Sequence, residues 1–153
     1  MSSGVGVSSE AIASYDEMKL RRKFVYIIYK ISNDGKSIII EKAQEHIPNA
    51  CPVETYNTFI QQFPVDEGRF GVYDIEYETP ADGVRNKLLF FMWAPDNSKI
   101  RSRMLYASSK ASLRQRLDGI HAEIQATLPE ELFLEEVLEK VAKGAIVNPR
   151  KEE

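Results

Sequence analysis

Cysteine and histidine are scarce in this chain. Cys51, His46 and His121 are the only residues of these types among 153. A single cysteine excludes an intramolecular disulfide and is typical of a reducing compartment. No Cys-x-x-Cys or His-x-x-x-His spacing is present, which argues against a structural zinc site. We therefore expect no bound metal and no cofactor.

Catalytic motifs are also missing. The sequence contains neither a Gly-x-Ser-x-Gly elbow for a nucleophilic serine nor a Gly-x-x-x-x-Gly-Lys loop for phosphates. We expect a binding protein, not an enzyme. The minor alternative is a small hydrolase that uses His46 or His121.

Long apolar runs are absent as well. No run approaches the roughly 18 to 20 residues that span a bilayer, and the N-terminus lacks the charged and then apolar pattern of a signal peptide. The formal net charge is −3, which argues against nucleic acid as a partner. The sequence predicts a soluble cytoplasmic protein.

The composition fits one domain over residues 1–153. The chain is 43% apolar and 28% charged, enough to bury a core without disulfides. Residues 1–8 are small and polar and are predicted to form a mobile N-terminal arm, and residues 145–153 form a polar tail.

Helical and β patterns alternate along the chain. Ser8 or Ser9 is predicted to cap a first helix, and strand patterns on either side of Asn33-Asp34-Gly35 predict a hairpin. A second hairpin, a basic helix, a short strand and a last helix follow. This order predicts an α/β fold with helices on both faces of a sheet. The predicted helices cover 10–19, 56–63, a stretch between Trp93 and Gly119, and about 130–143, and the predicted strands cover 23–31, 37–42, 69–78, 85–93 and 121–126.

The basic helix is the most informative segment. Arg103, Lys110 and Arg114 recur at intervals that place them on one helical face, while Arg101 and Arg116 fall elsewhere. An apolar row on an adjacent face makes the helix amphipathic with a basic flank, so that it is predicted both to pack and to bind. The row consists of Ile100, Met104, Ala107 and Ala111.

Several segments resemble the ADF/cofilin family of actin-depolymerising proteins. They are SSGVGVSSE, YDIEYE, RNKLLFFMWAPD, SKIRSRMLYASSK and EEVLEKVAKGA, in the family order and at similar spacing. The resemblance covers nearly the whole chain. It implies a central mixed sheet of five to six strands sandwiched by helices, and a protein of the actin cytoskeleton that binds actin monomers and filaments, severs filaments and promotes their depolymerisation.

The resemblance implies two actin-binding surfaces. The surface for monomers and filaments comprises Ser3, Gly4, Val5, Arg101, Arg103 and Met104, together with the front of the last helix. The filament-specific surface comprises Arg85, Lys87, Glu139, Lys140 and Lys143. The alternative for the second set is a solvated edge of the sheet. The protein is expected to be a monomer.

Two regulatory expectations follow from the resemblance. Ser3 matches a position that many relatives have phosphorylated, and the alternative is an unmodified serine that only contacts the partner. Phosphoinositide head groups are a second expected ligand, held by basic residues that overlap the actin surface. These residues are Arg101, Arg103, Lys110, Arg114 and Arg116.

The sequence also departs from the family pattern. Lys99 stands where many members have proline before the basic helix, and Phe133 stands where a serine usually caps the last helix. Ala122 replaces a histidine that some animal members use to sense pH, so that property is not expected here. The alternative functions are a binder of anionic phosphoinositide surfaces, and a non-severing superfamily member that acts on actin-related complexes.

Overall fold

Stretches rich in β-branched and aromatic residues form one mixed sheet in the computed structural model, which describes residues 4–147. The six strands occur in the order β1-β3-β2-β4-β5-β6. Both predicted hairpins, β2–β3 and β4–β5, are antiparallel, and the edge strands β1 and β6 pair in parallel with their neighbours. The strands are β1 (Gly6–Val7), β2 (Phe24–Ile31), β3 (Ser37–Glu45), β4 (Arg69–Thr79), β5 (Gly83–Trp93) and β6 (Ile120–Ala126).

Within residues 4–147, four α-helices cover the two faces of this sheet, so the predicted fold class is confirmed. They are α1 (Ser9–Arg21), α2 (Pro52–Gln61), α3 (Ile100–Arg114) and α4 (Leu134–Val141). The apolar side chains of α1 and α3 pack on one face, against Ile27, Phe70 and Phe90. Those of α2 and α4 pack on the other face, against Tyr73 and Phe91.

The last helix differs from its prediction. The sequence pattern predicted one helix over about 130–143, but the structure has a 3₁₀ turn at Pro129–Leu132 and then α4. Phe133 separates the two with an extended backbone (ψ 141°). Leu132 and Val137 are both buried, yet on one continuous helix they would lie about 140° apart. The break at Phe133 resets the helical phase so that both reach the core.

The two ends of the described chain contact the sheet. Val5 is buried, and Gly6–Val7 pairs with β3, so part of the segment predicted as an arm over 1–8 forms an edge strand. At the other end, Ile146 exchanges two backbone hydrogen bonds with Glu78, both 2.9 Å. Ala145 and Val147 pack on the core beside it, so the predicted polar tail begins as a docked segment.

Over residues 4–147, no helix combines the length and apolarity needed to cross a membrane. In the same range, no three side chains among histidine, cysteine, aspartate and glutamate are grouped as a metal ion would need.

Ser8→Ala is expected to lower the free energy of unfolding by about 0.5 to 2 kcal/mol. The Ser8 hydroxyl oxygen accepts a hydrogen bond from the Ala11 amide at 3.1 Å and so caps α1. Ser9 is the first residue inside the helix, and Ser9→Ala should change stability by less than about 0.5 kcal/mol. Urea unfolding of the two variants measures the difference, and equal losses would contradict the assignment of Ser8 as the cap.

Candidate functional site

The α3 helix is held to the sheet by one face of its side chains. Tyr106, Ser109 and Leu113 are buried, and the Tyr106 hydroxyl accepts a hydrogen bond from the Ile31 amide at 3.0 Å. The Tyr106 ring lies so close to the chain at Gly68 that a Cβ there would come within 2.7 Å of Cδ2. This close packing fixes the position of α3 along the sheet.

The apolar row predicted on α3 faces solvent. Ile100 is 67% exposed and Met104 is 66% exposed, and Ala107 and Ala111 are also exposed. The prediction that this row serves for packing is therefore wrong, because the helix packs through a different row. A rigid helix that presents apolar side chains to solvent is typical of a surface for a protein partner.

A turn of the chain fixes the start of α3. The Ser98 hydroxyl donates to the Pro95 carbonyl at 2.6 Å, and Arg103 donates to the Asp96 carbonyl at 2.9 Å. Lys99 is the N-cap residue and its side chain makes no capping bond. Arg101 is exposed on the first turn. Arg103 therefore stabilises the turn that precedes the helix, next to the exposed side chain of Arg101.

The basic stripe predicted on α3 is partly neutralised. Lys110 contacts Glu123 of β6 at 3.3 Å, and Arg114 binds the other oxygen of the same carboxylate while its guanidinium lies 5.7 Å from the centre of the Phe90 ring. The hydrogen bonds from Arg114 and Lys110 lower the pKa of Glu123. Arg116, beyond the end of the helix, is exposed. The carboxylate thus offsets positive charge at the C-terminal half of the stripe.

The N-terminal residues lie at the edge of the sheet next to α3. Gly4 is exposed with φ +83°, a left-handed conformation that favours glycine, and Val5 is buried against the core. Ser3 lies outside the described residues, so its predicted role stays a prediction. The structure brings the described part of the N-terminal segment and α3 to the same side of the molecule.

The residues predicted for a second surface lie on the opposite face of the sheet. Arg85 and Lys87 pair with Tyr77 and Ile75, whose side chains belong to the core under α2 and α4. By alternation along the strand, both basic residues share that face. The first is exposed and the second is partly buried.

The C-terminal part of this set lies on and just after α4. Glu139 and Lys143 form an exposed ion pair at 4.0 Å, and Lys140 is exposed beside them. The backbone bonds between Glu78 and Ile146 place the following segment next to β4, the strand that pairs with β5 at Arg85. The structure therefore brings the basic residues of β5 and the charged residues of α4 to the same face and the same end of the sheet.

The sequence analysis missed a buried charge within β4. Asp74 is 7% exposed and lies 3.4 Å from Arg22 and 3.7 Å from His46, at the wall of a cleft of about 90 Å³. Burial raises the pKa of Asp74, and the charges of Arg22 and His46 oppose that rise. The cluster ties β4 to the end of α1 and to the segment after β3. The cluster is thus an ion pair between a buried carboxylate and partly exposed basic side chains.

Comparison with known proteins decides the family. The family model for cofilin/tropomyosin-type actin-binding proteins matches residues 4–142. The chain is 43% identical over 144 residues to a cofilin of Yarrowia lipolytica, covering 94% of this chain and 90% of the relative. The chain belongs to the ADF/cofilin family. The expectation of an actin-binding protein, and not an enzyme, is thereby confirmed.

Other ADF/cofilin proteins agree in sequence and in structure. An actophorin of Entamoeba histolytica is 41% identical over 138 residues, which is 90% of this chain and 95% of the relative. The crystal structure of a Streptomyces griseoflavus cofilin superimposes with a TM-score of 0.80 at 40% identity, covering 92% and 99% of the two chains. That of Plasmodium berghei actin depolymerization factor 2 gives 0.83 at 30% identity, covering 92% and 98%.

Proposed function

We propose that this protein binds actin monomers and filaments, severs filaments and promotes their depolymerisation. The observation that carries the proposal is the exposed apolar row of α3 next to Arg101 and Arg103, in a chain of an actin-binding family. An amphipathic helix that enters an apolar groove is a common mode of protein recognition. Met104 suits such a contact because its flexible thioether adapts to the partner.

The monomer-binding surface comprises Ser3, Gly4, Val5, Arg101, Arg103 and Met104. In this proposal Arg101 meets an acidic region of actin, and Arg103 both fixes the turn at Asp96 and adds positive charge. Val5 anchors the N-terminal segment so that Gly4 is held beside α3. Phosphorylation of Ser3 would add nearly two negative charges to this surface and weaken binding to an acidic partner.

The filament-specific surface comprises Arg85, Lys87, Glu139, Lys140 and Lys143. Its position on the opposite face from α3 supports simultaneous contact with two actin subunits. A ligand that binds one twist of the filament more tightly shifts the filament toward that twist. Contacts between neighbouring subunits then weaken, and the filament breaks without any covalent step.

The test combines filament pelleting with imaging of single filaments. The native chain is expected to decorate and fragment filaments. Arg85→Ala/Lys87→Ala should bind monomers within twofold of the native chain but lose about tenfold or more in filament binding, because exposed basic residues of an interface contribute to its electrostatic complementarity. Lys36→Ala/Lys42→Ala removes the same charge from the β2–β3 hairpin and is the matched control.

Decoration without fragmentation would overturn severing and favour a non-severing member of the superfamily. If Lys36→Ala/Lys42→Ala loses as much filament binding, the effect is one of general charge, and the filament-specific surface is contradicted. We further infer that the protein works as a monomer in the cytoplasm, at the actin cytoskeleton.

A second proposed ligand is a phosphoinositide surface, bound by Arg101, Arg103, Lys110, Arg114 and Arg116. Lipid and actin would then compete, because Arg101 and Arg103 belong to both proposed sites. Glu123 opposes this binding, since its carboxylate contacts both Lys110 and Arg114.

Glu123→Gln is therefore expected to raise affinity for vesicles containing a phosphoinositide by about three- to tenfold, through the removal of one competing negative charge. Sedimentation with vesicles at two salt concentrations measures the change. Glu10→Gln, on α1, is the control with the same charge change. If Glu123→Gln and the native chain bind such vesicles equally, Lys110 and Arg114 do not belong to the lipid site.

A further inference from the structure

Arg69 is a buried positive charge at the start of β4, with an exposed fraction of 6%. Its Nε and Nη2 donate to the two carboxylate oxygens of Glu41 on β3 at 2.9 and 3.2 Å. Its Nη1 donates to the Gly68 carbonyl at 2.7 Å and to the Glu67 carboxylate at 3.1 Å. Every nitrogen of the guanidinium therefore binds another group of the protein, and the planar fork fixes where those groups lie.

The groups around Arg69 are also those against which α3 packs. The Gly68 backbone lies against the Tyr106 ring, and the Tyr106 hydroxyl accepts a hydrogen bond from the Ile31 amide at 3.0 Å. Burial raises the pKa of Tyr106, and the Ile31 amide and the charge of Arg69 oppose that rise. The guanidinium thus acts both on the backbone under α3 and on the side chain that holds this helix to the sheet.

Glu41 belongs to the strand that carries the N-terminal segment. β1 pairs with the start of β3, and the Gly6 amide donates to the Lys36 carbonyl at 3.0 Å. The bond between Arg69 and Glu41 joins β4 to β3 although β2 lies between these strands. It therefore connects the backbone under α3 to the strand that positions the N-terminal segment.

The contribution of this ion pair is mainly geometric. A buried ion pair adds little net stability, because the loss of hydration offsets the attraction between the charges. A bidentate pair of arginine and carboxylate does, however, hold its two partners at a fixed distance and orientation. Since Arg69 is too deeply buried to contact a partner protein, it can affect binding only through the position of its neighbours.

We propose that Arg69 and Glu41 are positioning residues that fix the distance between the N-terminal segment and α3, the two parts of the monomer-binding surface. The inference rests on the proposed function. When both parts are already held in the arrangement that actin accepts, binding does not have to order them, and both contribute to one interface. Without the ion pair the two parts are not held in this arrangement, and contacts made by α3 contribute less to the affinity.

A double-mutant cycle, measured by titration of labelled actin monomers, tests the inference. Arg69→Met keeps much of the side-chain length, removes the fork, and is expected to weaken binding by about five- to tenfold. Met104→Ala is expected to weaken binding by about tenfold in the native chain, but by only about two- to threefold when combined with Arg69→Met.

Ile75→Val is the matched control, because it alters a buried side chain of the same strand. Its affinity for actin monomers should stay within about twofold of the native value, and Met104→Ala should still weaken binding by about tenfold in its presence. Thermal unfolding of each variant establishes that it is folded at the temperature of the titration.

A smaller effect of Met104→Ala in the Arg69→Met chain supports the positioning role, because residues with a merely structural role leave that effect unchanged. An unchanged effect, or native affinity in Arg69→Met, overturns it. If Arg69→Met does not fold, Glu41→Gln replaces it in the same cycle, with the same two outcomes. A native chain that does not bind actin contradicts the proposed function, whereas a native chain that binds and shows independent effects contradicts this inference alone.

Discussion

Replacing Arg101 and Arg103 together with alanine is expected to weaken the binding of actin monomers by about thirtyfold or more. Arginines at the centre of an interface each contribute on the order of 2 kcal/mol when truncated, and 2 kcal/mol corresponds to about thirtyfold in affinity. Arg101 is exposed, and Arg103 also holds the turn before α3 through its bond to Asp96. The double variant thus removes two charges and loosens the turn that precedes the helix.

Titration of labelled actin monomers at fixed ionic strength measures this effect. Arg21→Ala/Arg116→Ala removes the same charge from two other exposed arginines and should change affinity by less than threefold. Thermal unfolding should show that both double variants are folded at the temperature of the titration, because surface substitutions usually change stability by only about 0.5 kcal/mol each. A loss of equal size in the two double variants would contradict a localised site.

Phe59→Ala is expected to cause the largest loss of stability, about 3 to 5 kcal/mol. Phe59 is fully buried at the centre of the core beneath α2 and α4. Its ring centroid lies between 5.0 and 6.0 Å from five other rings, and each aromatic pair adds to the energy of burial. These rings are Tyr26, Tyr56, Phe63, Tyr73 and Phe91.

Urea unfolding and a thermal scan of Phe59→Ala test this expectation, with a decrease in Tm of about 6 °C or more. Phe59→Leu keeps most of the apolar volume and should lose less than half as much stability. A loss below about 1.5 kcal/mol in Phe59→Ala would mean that the surrounding rings close the cavity. Phe59→Ala that remains folded should bind actin with the affinity of the native chain, because the proposed actin surfaces do not include this core.

Local sequence determined the hairpins well. Gly35 adopts φ +73° in the predicted turn, and the Asp34 carboxylate accepts from the Lys36 amide at 3.0 Å, so the turn chemistry is contained within a few residues. The β4–β5 hairpin was predicted for the same reason, from two strand patterns on either side of a short polar loop. Such elements depend mainly on neighbours in the chain, which the sequence displays directly.

The orientation of α3 could not be read from its sequence. Two rows of side chains recur at helical spacing, one through Ile100 and Met104 and one through Tyr106 and Leu113. The helical periodicity predicts both rows, but it does not indicate which of them packs against the sheet. Burial of Tyr106 against Phe70 and Gly68 selects the second row, and the first is left for a partner.

By itself, the sequence determined both hairpins, the approximate positions of most other helices and strands, the α/β class, the basic character of α3 and, through its resemblance to relatives, the family. Only the tertiary structure decided which charges are neutralised by Glu123, that Phe133 interrupts the last helix, and that Asp74 is buried beside Arg22 and His46. The physical reason is the distance along the sequence between the residues that interact. Helices and turns form between near neighbours, whereas these contacts join residues from different elements, and their formation depends on how those elements pack.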